Sequence, residues 1–446
     1  MKTPLVRTAI VALALVMCAA SAQSHTLYEL YMQVLEDNPG LKRRAGELEQ
    51  ARAQVDLSRS RLLPQISADI TRTSDIAYRD ELSGVTQRYG GLRRTFQLRQ
   101  ALLDLSSWYG LNSSRGRVLQ AEQAADAARM LVAGDLVERY LAVLLAEDEV
   151  TRLTAEHSAV DAQVLRLQKM HDRQMAKVTD LYEAQAYLQT LETLTIDARA
   201  GRAIALEKLQ EVAGTPVLQV ATLVLDAVPR SEDRKADQWE KDALDHNPLL
   251  LSLQLAVEAA QDQVRSVRAQ HAPVVSLLVS NLYSDQGYDS RLQAPYQVET
   301  LGVQVTFSIY EGGRVEANVR DALSRQDIAE QQYEESRREV IRQVRTDYLH
   351  AAASHARIDS TNRERESRSR AVEAQERGYQ LGAATIVAVL DARKLLLKAD
   401  SDQHAARYDL IRDMVALRVH AGVLDEAAVR ESSAWFFHAD AESTPQ

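Results

Sequence analysis

The chain carries its punctuation twice. Asn38-Pro39 recurs as Asn247-Pro248, and Pro64 recurs as Pro273, both 209 residues later. Leu103-Asp104 corresponds to Tyr310-Glu311 at an offset of 207. Ala184 corresponds to Ala392, and Ala213-Gly214 to Ala421-Gly422, at 208. Turn formers and helix breakers are the residues a fold can least move, so a nearly constant offset among them marks two copies of one structural unit. The chain reads as two similar halves.

Each half repeats the same order of patterns. An amphipathic helix is expected over about 40–63 and again over about 249–272, each closed by its proline. Alternating segments follow. In the second half Leu301, Val303, Val305, Phe307 and Ile309 alternate with Gly302, Gln304, Thr306 and Ser308. That is the period of a strand with one apolar face. In the first half Phe96, Leu98 and Leu102 stand against Thr95, Gln97 and Arg99, with Gln100 breaking the alternation. Strands are placed at about 65–78 and 88–103, then at about 274–283 and 296–310, joined as hairpins by polar loops. Each half then enters a very long helix, about 107–172 and 314–377, on the order of 100 Å at 1.5 Å per residue. Return helices follow at about 179–213 and 385–421. Heptad-like spacing, as in Val389-Leu390 with Leu396-Leu397, makes coiled-coil hairpins of 107–213 and 314–421. The first repeat thus covers 23–213 and the second 239–422, with a linker at 214–238 and an irregular tail at 423–446. Trp435-Phe436-Phe437 reads as a packing anchor for that tail.

Only 17 Gly and 9 Pro in 446 residues agree with long helices and few tight turns. A formal net charge of -10 argues against a nucleic-acid partner. Residues 1–22 have the form of a signal peptide, with Lys2 and Arg7 before an apolar run and Ala20-Ser21-Ala22 as cleavage site. The one cysteine, Cys18, falls inside it, so a disulfide-free secreted chain is expected. No later stretch approaches 18 apolar residues, so membrane insertion would use strands. Four strands cannot close a barrel, and open edges are not tolerated in hydrocarbon. Three copies would supply twelve strands, with Tyr78, Tyr89, Tyr283, Tyr296 and Tyr310 near the strand ends as an interfacial girdle. The alternative for these strands is a soluble amphipathic sheet covering a core.

The ten histidines are scattered, and His157, His171, His350 and His355 are expected on solvated helix faces. No metal-binding spacing, phosphate-binding loop or nucleophile elbow is present, so no metal, cofactor or catalytic residue is assigned. The charged run from Arg363 to Arg370 reads as the wet face of a coiled coil.

Leu27-Tyr28-Glu29-Leu30 followed by Leu35-Glu36-Asp37-Asn38-Pro39 resembles the opening of the TolC family of outer-membrane factors. Leu62-Leu63-Pro64-Gln65-Ile66, Tyr310-Glu311-Gly312-Gly313-Arg314 and Gly378-Tyr379-Gln380-Leu381-Gly382 resemble its later motifs, in order and across the whole mature chain. The resemblance implies a mainly helical chain with a β-barrel portion, closing as a homotrimer into a 12-stranded barrel and a 12-helix tunnel. It implies a location in the outer membrane, among its lipids, with the tunnel in the periplasm. Its partners would be a periplasmic adaptor protein and an inner-membrane transporter, either ABC-type or proton-driven. The function implied is an exit duct without enzymatic activity, leaning to type I protein secretion. Small-molecule efflux, or a non-channel coiled-coil adaptor, are the alternatives.

Mapped onto this chain, the periplasmic gate would comprise Thr179, Asp180 and Tyr379, with Asp391 in an acidic ring. The adaptor-contacting tips would be Gln174, Met175, Ala176 and Lys177 in the first hairpin and Leu381, Gly382 and Ala383 in the second. Ala384 stands where the family's name-giving member has an arginine, and Ala388 where it has an aspartate. The first tip lacks the glycine that Gly382 supplies to the second. The closed state is therefore expected to rest on an Asp180–Tyr379 hydrogen bond and packing.

Overall fold

The computed structural model describes residues 26–79, 82, 84–223, 234–285, 295–433 and 436–437. The signal-peptide reading of 1–22 and the Trp435 part of the tail anchor lie outside the described residues. Along the chain run α1 (Leu27–Asp37), α2 (Pro39–Ser60), β1 (Gln65–Arg79), β2 (Thr86–Leu103), α3 (Leu105–Asp172) and α4 (Val178–Ala213). Then come β3 (Thr222–Leu223), α5 (Ala236–His246), α6 (Pro248–Arg268), β4 (Val274–Ser284) and β5 (Tyr296–Thr306). The last elements are α7 (Arg314–Gln380), α8 (Ile386–His420), α9 (Glu426–Ser433) and β6 (Phe436–Phe437). The chain is mainly helical, and no described helix is long and apolar enough to cross a membrane.

Two compact units are formed, one from Arg43–Ala125 and Pro248–Arg337, the other from Met1–Lys42, Asp126–Asn247 and Arg338–Gln446 as far as these are described. The helices α3 and α7 contribute to both.

The first unit holds an antiparallel sheet in the order β1-β2-β4-β5. Its register aligns Ile66, Leu98, Val279 and Leu301 as one apolar row across all four strands. The adjacent row, on the opposite face, is Ser67, Gln97, Ser280 and Thr300. Strand alternation thus sorts the sheet into an apolar and a polar side. β5 ends at Thr306, short of the expected Tyr310, because its ladder ends where β4 begins, at the Val274–Thr306 pair. Pro273, just before, has no N–H to extend it. Gln100, the break in the alternation, donates its side-chain amide to the Leu62 carbonyl at 2.6 Å, capping the corner before Pro64.

Small residues let the helices of this unit approach closely. Ser58 and Ser114 share a buried hydroxyl contact at 2.8 Å, and Ser113 and Ser266 donate to the carbonyls of Ala259 and Ser106. A Cβ on Gly116 would stand 3.1 Å from that of Ala259.

In the second unit, Leu27, Leu30, Tyr31 and Val34 lie on one stripe of α1, at the i, i+3, i+4, i+7 spacing of a helix face. They pack with Leu136, Tyr140 and Leu144 of α3, Leu209 and Val212 of α4, and Ile411 and Val415 of α8. The stretch after 213 and the tail hold more structure than expected. β3 pairs antiparallel with β6, Thr222 opposite Phe437 and Leu223 opposite Phe436. The tail is thus joined by backbone pairing to the linker. It also forms α9, whose Glu426 accepts from the Tyr28 hydroxyl at 2.8 Å while Arg430 lies over the Tyr28 ring.

The duplicated landmarks meet at one point of this unit. Asn247 donates its amide to the His420 carbonyl at 2.8 Å. Gly422 takes φ +75°, and a Cβ there would lie 2.5 Å from the Asn247 Cα. Left-handed backbone alone costs a side-chain-bearing residue about 1–2 kcal/mol, and the clash is with main chain. Gly422→Ala is expected to lower the thermal unfolding midpoint by at least that free energy; an unchanged midpoint would contradict this close approach.

Candidate functional site at the helical tips

A coiled coil is only as specific as its ends, and here the two hairpins end in the same turn. In the first, the Met175 N–H donates to the Met170 carbonyl at 2.8 Å; in the second, Ala383 donates to Gly378 at 2.7 Å. These pairs are 208 residues apart, and so are Gln174 and Gly382. Gly382 takes φ +75° without strain, whereas Gln174 takes φ +61° and is the one non-glycine residue with positive φ among the described residues. The turn needs a left-handed residue to close the helix, and the first tip supplies one with a Cβ. Its return helix also starts without a side-chain cap, at Lys177, whereas Thr385 accepts the Ala388 N–H at 3.3 Å. Ala388 is thereby tied to the cap, and Ala384 packs on Gly378, whose added Cβ would meet it at 3.1 Å.

The Tyr379 hydroxyl donates to Asp180 Oδ2 at 3.1 Å, linking α7 to α4. Both side chains are half-buried. Burial, then the charge of Asp180, raises the Tyr379 pKa above the ordinary tyrosine value. The residue at the matching place in the first hairpin, His171, turns instead to its own tip, with Nδ1 3.3 Å from the Ala176 carbonyl. Beneath lies an apolar plug of Leu167, Leu181, Ala184, Ile386, Val389 and Leu390, with Tyr379 and Ala176 at its margin. Thr179 and Asp391 are exposed, as are Gln174, Met175, Lys177, Leu381, Gly382 and Ala383. The structure therefore joins Asp180 to Tyr379 and leaves Thr179 and Asp391 open to solvent.

Two polar clasps above the tips have partners too distant in sequence for periodicity to reveal. Arg393 reaches Glu376 at 2.5 Å and Glu156 at 3.6 Å, joining α8 to α7 and α3. Burial raises the Glu156 pKa despite Arg393, and burial with the Glu156 charge pushes the Tyr187 hydroxyl up to about 12. In the second clasp, Asp148 Oδ2 accepts from the Tyr408 hydroxyl and from His404 Nδ1, each at 2.7 Å. Burial opposes ionisation of Asp148, but these two bonds and the Arg152 charge bring its pKa below the ordinary 3.8. The charged run 363–370 is wet as expected, with i,i+4 pairs Glu364–Arg368 and Glu366–Arg370; Arg365 also crosses to Asp400 at 2.6 Å.

Among the described residues there is no group of acidic, histidine or cysteine side chains that could hold a metal ion. What the tip chemistry can do is hold helix ends together reversibly, through one hydroxyl–carboxylate bond and a small apolar plug.

Comparison with known proteins gives the same picture over most of the chain. Residues 30–215 and 239–423 match the family model described as outer membrane efflux protein. The chain is 26% identical to the outer membrane protein TolC of Salmonella enteritidis over 412 residues, covering 91% of this chain and 83% of that protein. It is also 26% identical to the alkaline protease secretion protein AprF of Pseudomonas aeruginosa, covering 90% and 85%. The fold is similar to that of CusC, a transmembrane channel, with a TM-score of 0.80 at 18% identity over 90% of this chain and 92% of that one.

Two outcomes are expected from the tips and clasps. Gln174→Gly is neutral or stabilising by up to about 1 kcal/mol, while Gly382→Gln costs about 1–2 kcal/mol; chemical denaturation of both variants checks the contrast. Because the Asp148 pKa is depressed on folding, its stabilisation is present above pH 3.8 and lost as pH falls through the folded value. Asp148→Asn should therefore flatten the acid limb of the unfolding midpoint against pH; an unaltered limb would remove Asp148 from the account.

Proposed function

Since the chain belongs to the outer membrane efflux protein family, we propose that it is a trimeric exit duct of a tripartite export system, without catalytic activity of its own. It is an outer-membrane protein. The observation that carries the reading is the sheet: among the described residues β1 and β5 each have a single partner strand, and the apolar face is bare, with Leu301 76% and Val305 62% exposed. A polar backbone edge beside an apolar face has no stable state in a bilayer until the edges are paired. Three copies supply twelve strands, an even count within the range of outer-membrane barrels. The polar face, with Gln97, Ser280 and Thr300, then lines the lumen.

The helical hairpins form the periplasmic tunnel, and their tips are its gate and its contact with a periplasmic adaptor. Asp180 and Tyr379 hold the entrance closed, Thr179 lies beside them, and Asp391 of each chain forms an acidic ring. Gln174, Met175, Ala176 and Lys177, with Leu381, Gly382 and Ala383, are the surface offered to the adaptor. An inner-membrane transporter supplies the energy, since this chain holds no nucleotide-binding motif. Protein cargo is the preferred reading, supported by the likeness to AprF, whose name records protease secretion. The family's description as efflux proteins supports a second reading, small-molecule cargo.

Purified protein in a planar bilayer should show a small conductance that Tyr379→Phe raises severalfold by releasing Asp180. Failure of the parent protein to insert would sink the duct reading, and an unchanged conductance in the variant would sink the gate. Loss of one or a few large proteins from the culture supernatant of a strain lacking the chain identifies secreted cargo. An unchanged supernatant with lowered drug or detergent tolerance identifies efflux.

A further inference from the structure

The apolar face of the sheet ends at a row that is neither apolar nor charge-balanced. Counting away from the helices, its rows pass through Val275 and Val305, Leu277 and Val303, then Ile66, Leu98, Val279 and Leu301. The next row is mixed: Ala68 and Phe96 with Asn281 and Glu299. Beyond it, Ile70 pairs with Arg94, Arg94 with Tyr283, and Tyr283 with Gln297. One step further Arg72 stands opposite Leu92 on the same face.

Arg94 is fixed on that face: its guanidinium lies 4.5 Å from the centroid of the Tyr283 ring. A ring held flat under a cation attracts it electrostatically and leaves its N–H groups facing outward. Neither Arg94 nor Arg72 makes an ion pair with any described residue. The carboxylates on neighbouring strands are otherwise engaged. Asp285 accepts the Leu92 N–H, and Glu299 accepts from Asn281 at 3.2 Å and Gln297 at 3.4 Å. Both arginines are exposed, and both come from the first hairpin; β4 and β5 hold no arginine or lysine.

Depth gives the ligand its identity. From Val305 to Gln297 is about 27 Å along the strand at about 3.4 Å per residue. At the tilt of outer-membrane strands this is about 20 Å along the bilayer normal, close to the about 25 Å height of an apolar band. The strand ends at the other side lead into the helices, so the arginine row lies at the outer leaflet. Guanidinium groups at that level are matched by phosphate oxygens, which take paired N–H donors from arginine.

We propose that Arg72 and Arg94, with Tyr283 as the platform under Arg94, form a binding site for the phosphate-bearing headgroup of an outer-leaflet lipid. The proposal rests on the reading of the apolar face as the lipid-facing side of a barrel. The site occurs once per chain, since β4 and β5 hold no arginine or lysine. Its acyl chains would run down over Phe96, Leu98 and Ile66.

The test uses the purified full-length protein and diphosphoryl lipid A, against the same lipid with its phosphates removed, with retained lipid read by native mass spectrometry. The parent protein should retain the phosphorylated form at least tenfold better, and R72Q/R94Q should lose that preference. Arg88→Gln, on the same hairpin but 3.9 Å from Asp75, should leave it unchanged. If the double variant is poorly folded, Tyr283→Leu and Arg72→Gln singly should each give a partial loss. Equal retention of both lipids by the parent, or an unaltered preference in the variants, overturns the proposal. So does displacement by inorganic phosphate at millimolar concentration, which would make the site a simple anion site. Bilayer conductance of the same preparations separates this from the underlying reading: a conducting double variant that keeps the lipid preference refutes the site alone, whereas a parent protein that never inserts refutes the barrel.

Discussion

Backbone hydrogen bonding is the constraint from which the rest follows. A strand in hydrocarbon must give away every N–H and C=O, and β1 and β5 each have a side with no partner among the described residues. In the proposed barrel that requirement is met by further copies of the chain. It also explains why its apolar residues are divided between two uses. Those at heptad spacing, such as Leu153, Val160 and Leu167, are buried among helices. Those on the sheet are bare and await either lipid or a neighbouring copy. A chain meant to be complete by itself would not leave Leu301 or Ile66 so exposed.

The helical unit solves a different problem, that of holding very long helices in register. Apolar seams alone slide, because one heptad resembles the next. Here polar residues interrupt the seam at intervals. Tyr408 and His404 close on Asp148, Gln403 on Asn362, and Ser354 on Asp413 at 2.6 Å. Each pairing is satisfied in one register only, since a shift strands a buried or half-buried polar group without a partner.

Much of this was legible in the sequence, for a physical reason. Periodicity records which face of an element is apolar, so Leu301 to Val305 and the long heptad stretches announced their structures. Positions such as Asn247, Pro273 and Gly422 carry backbone requirements that few residues meet, so the duplication stood out. What stayed hidden was pairing across distance. Nothing near Arg393 in sequence points to Glu376 and Glu156, and nothing near Thr222 points to Phe437. The end of β5 depends on where its partner begins, which no local pattern contains. At the tips, the missing glycine was visible, but not that Gln174 would take up the glycine's backbone conformation.

In the proposed trimer, that substitution would lower the symmetry of the tunnel mouth. Six turns of one shape would ring it, but three close on an unstrained glycine beneath a threonine cap, and three on a strained glutamine with no cap. Such a ring would be threefold in its turn chemistry even where it is nearly sixfold in outline. In that proposed assembly two kinds of tip alternate around the mouth, one closed by glycine and capped, the other closed by glutamine and uncapped.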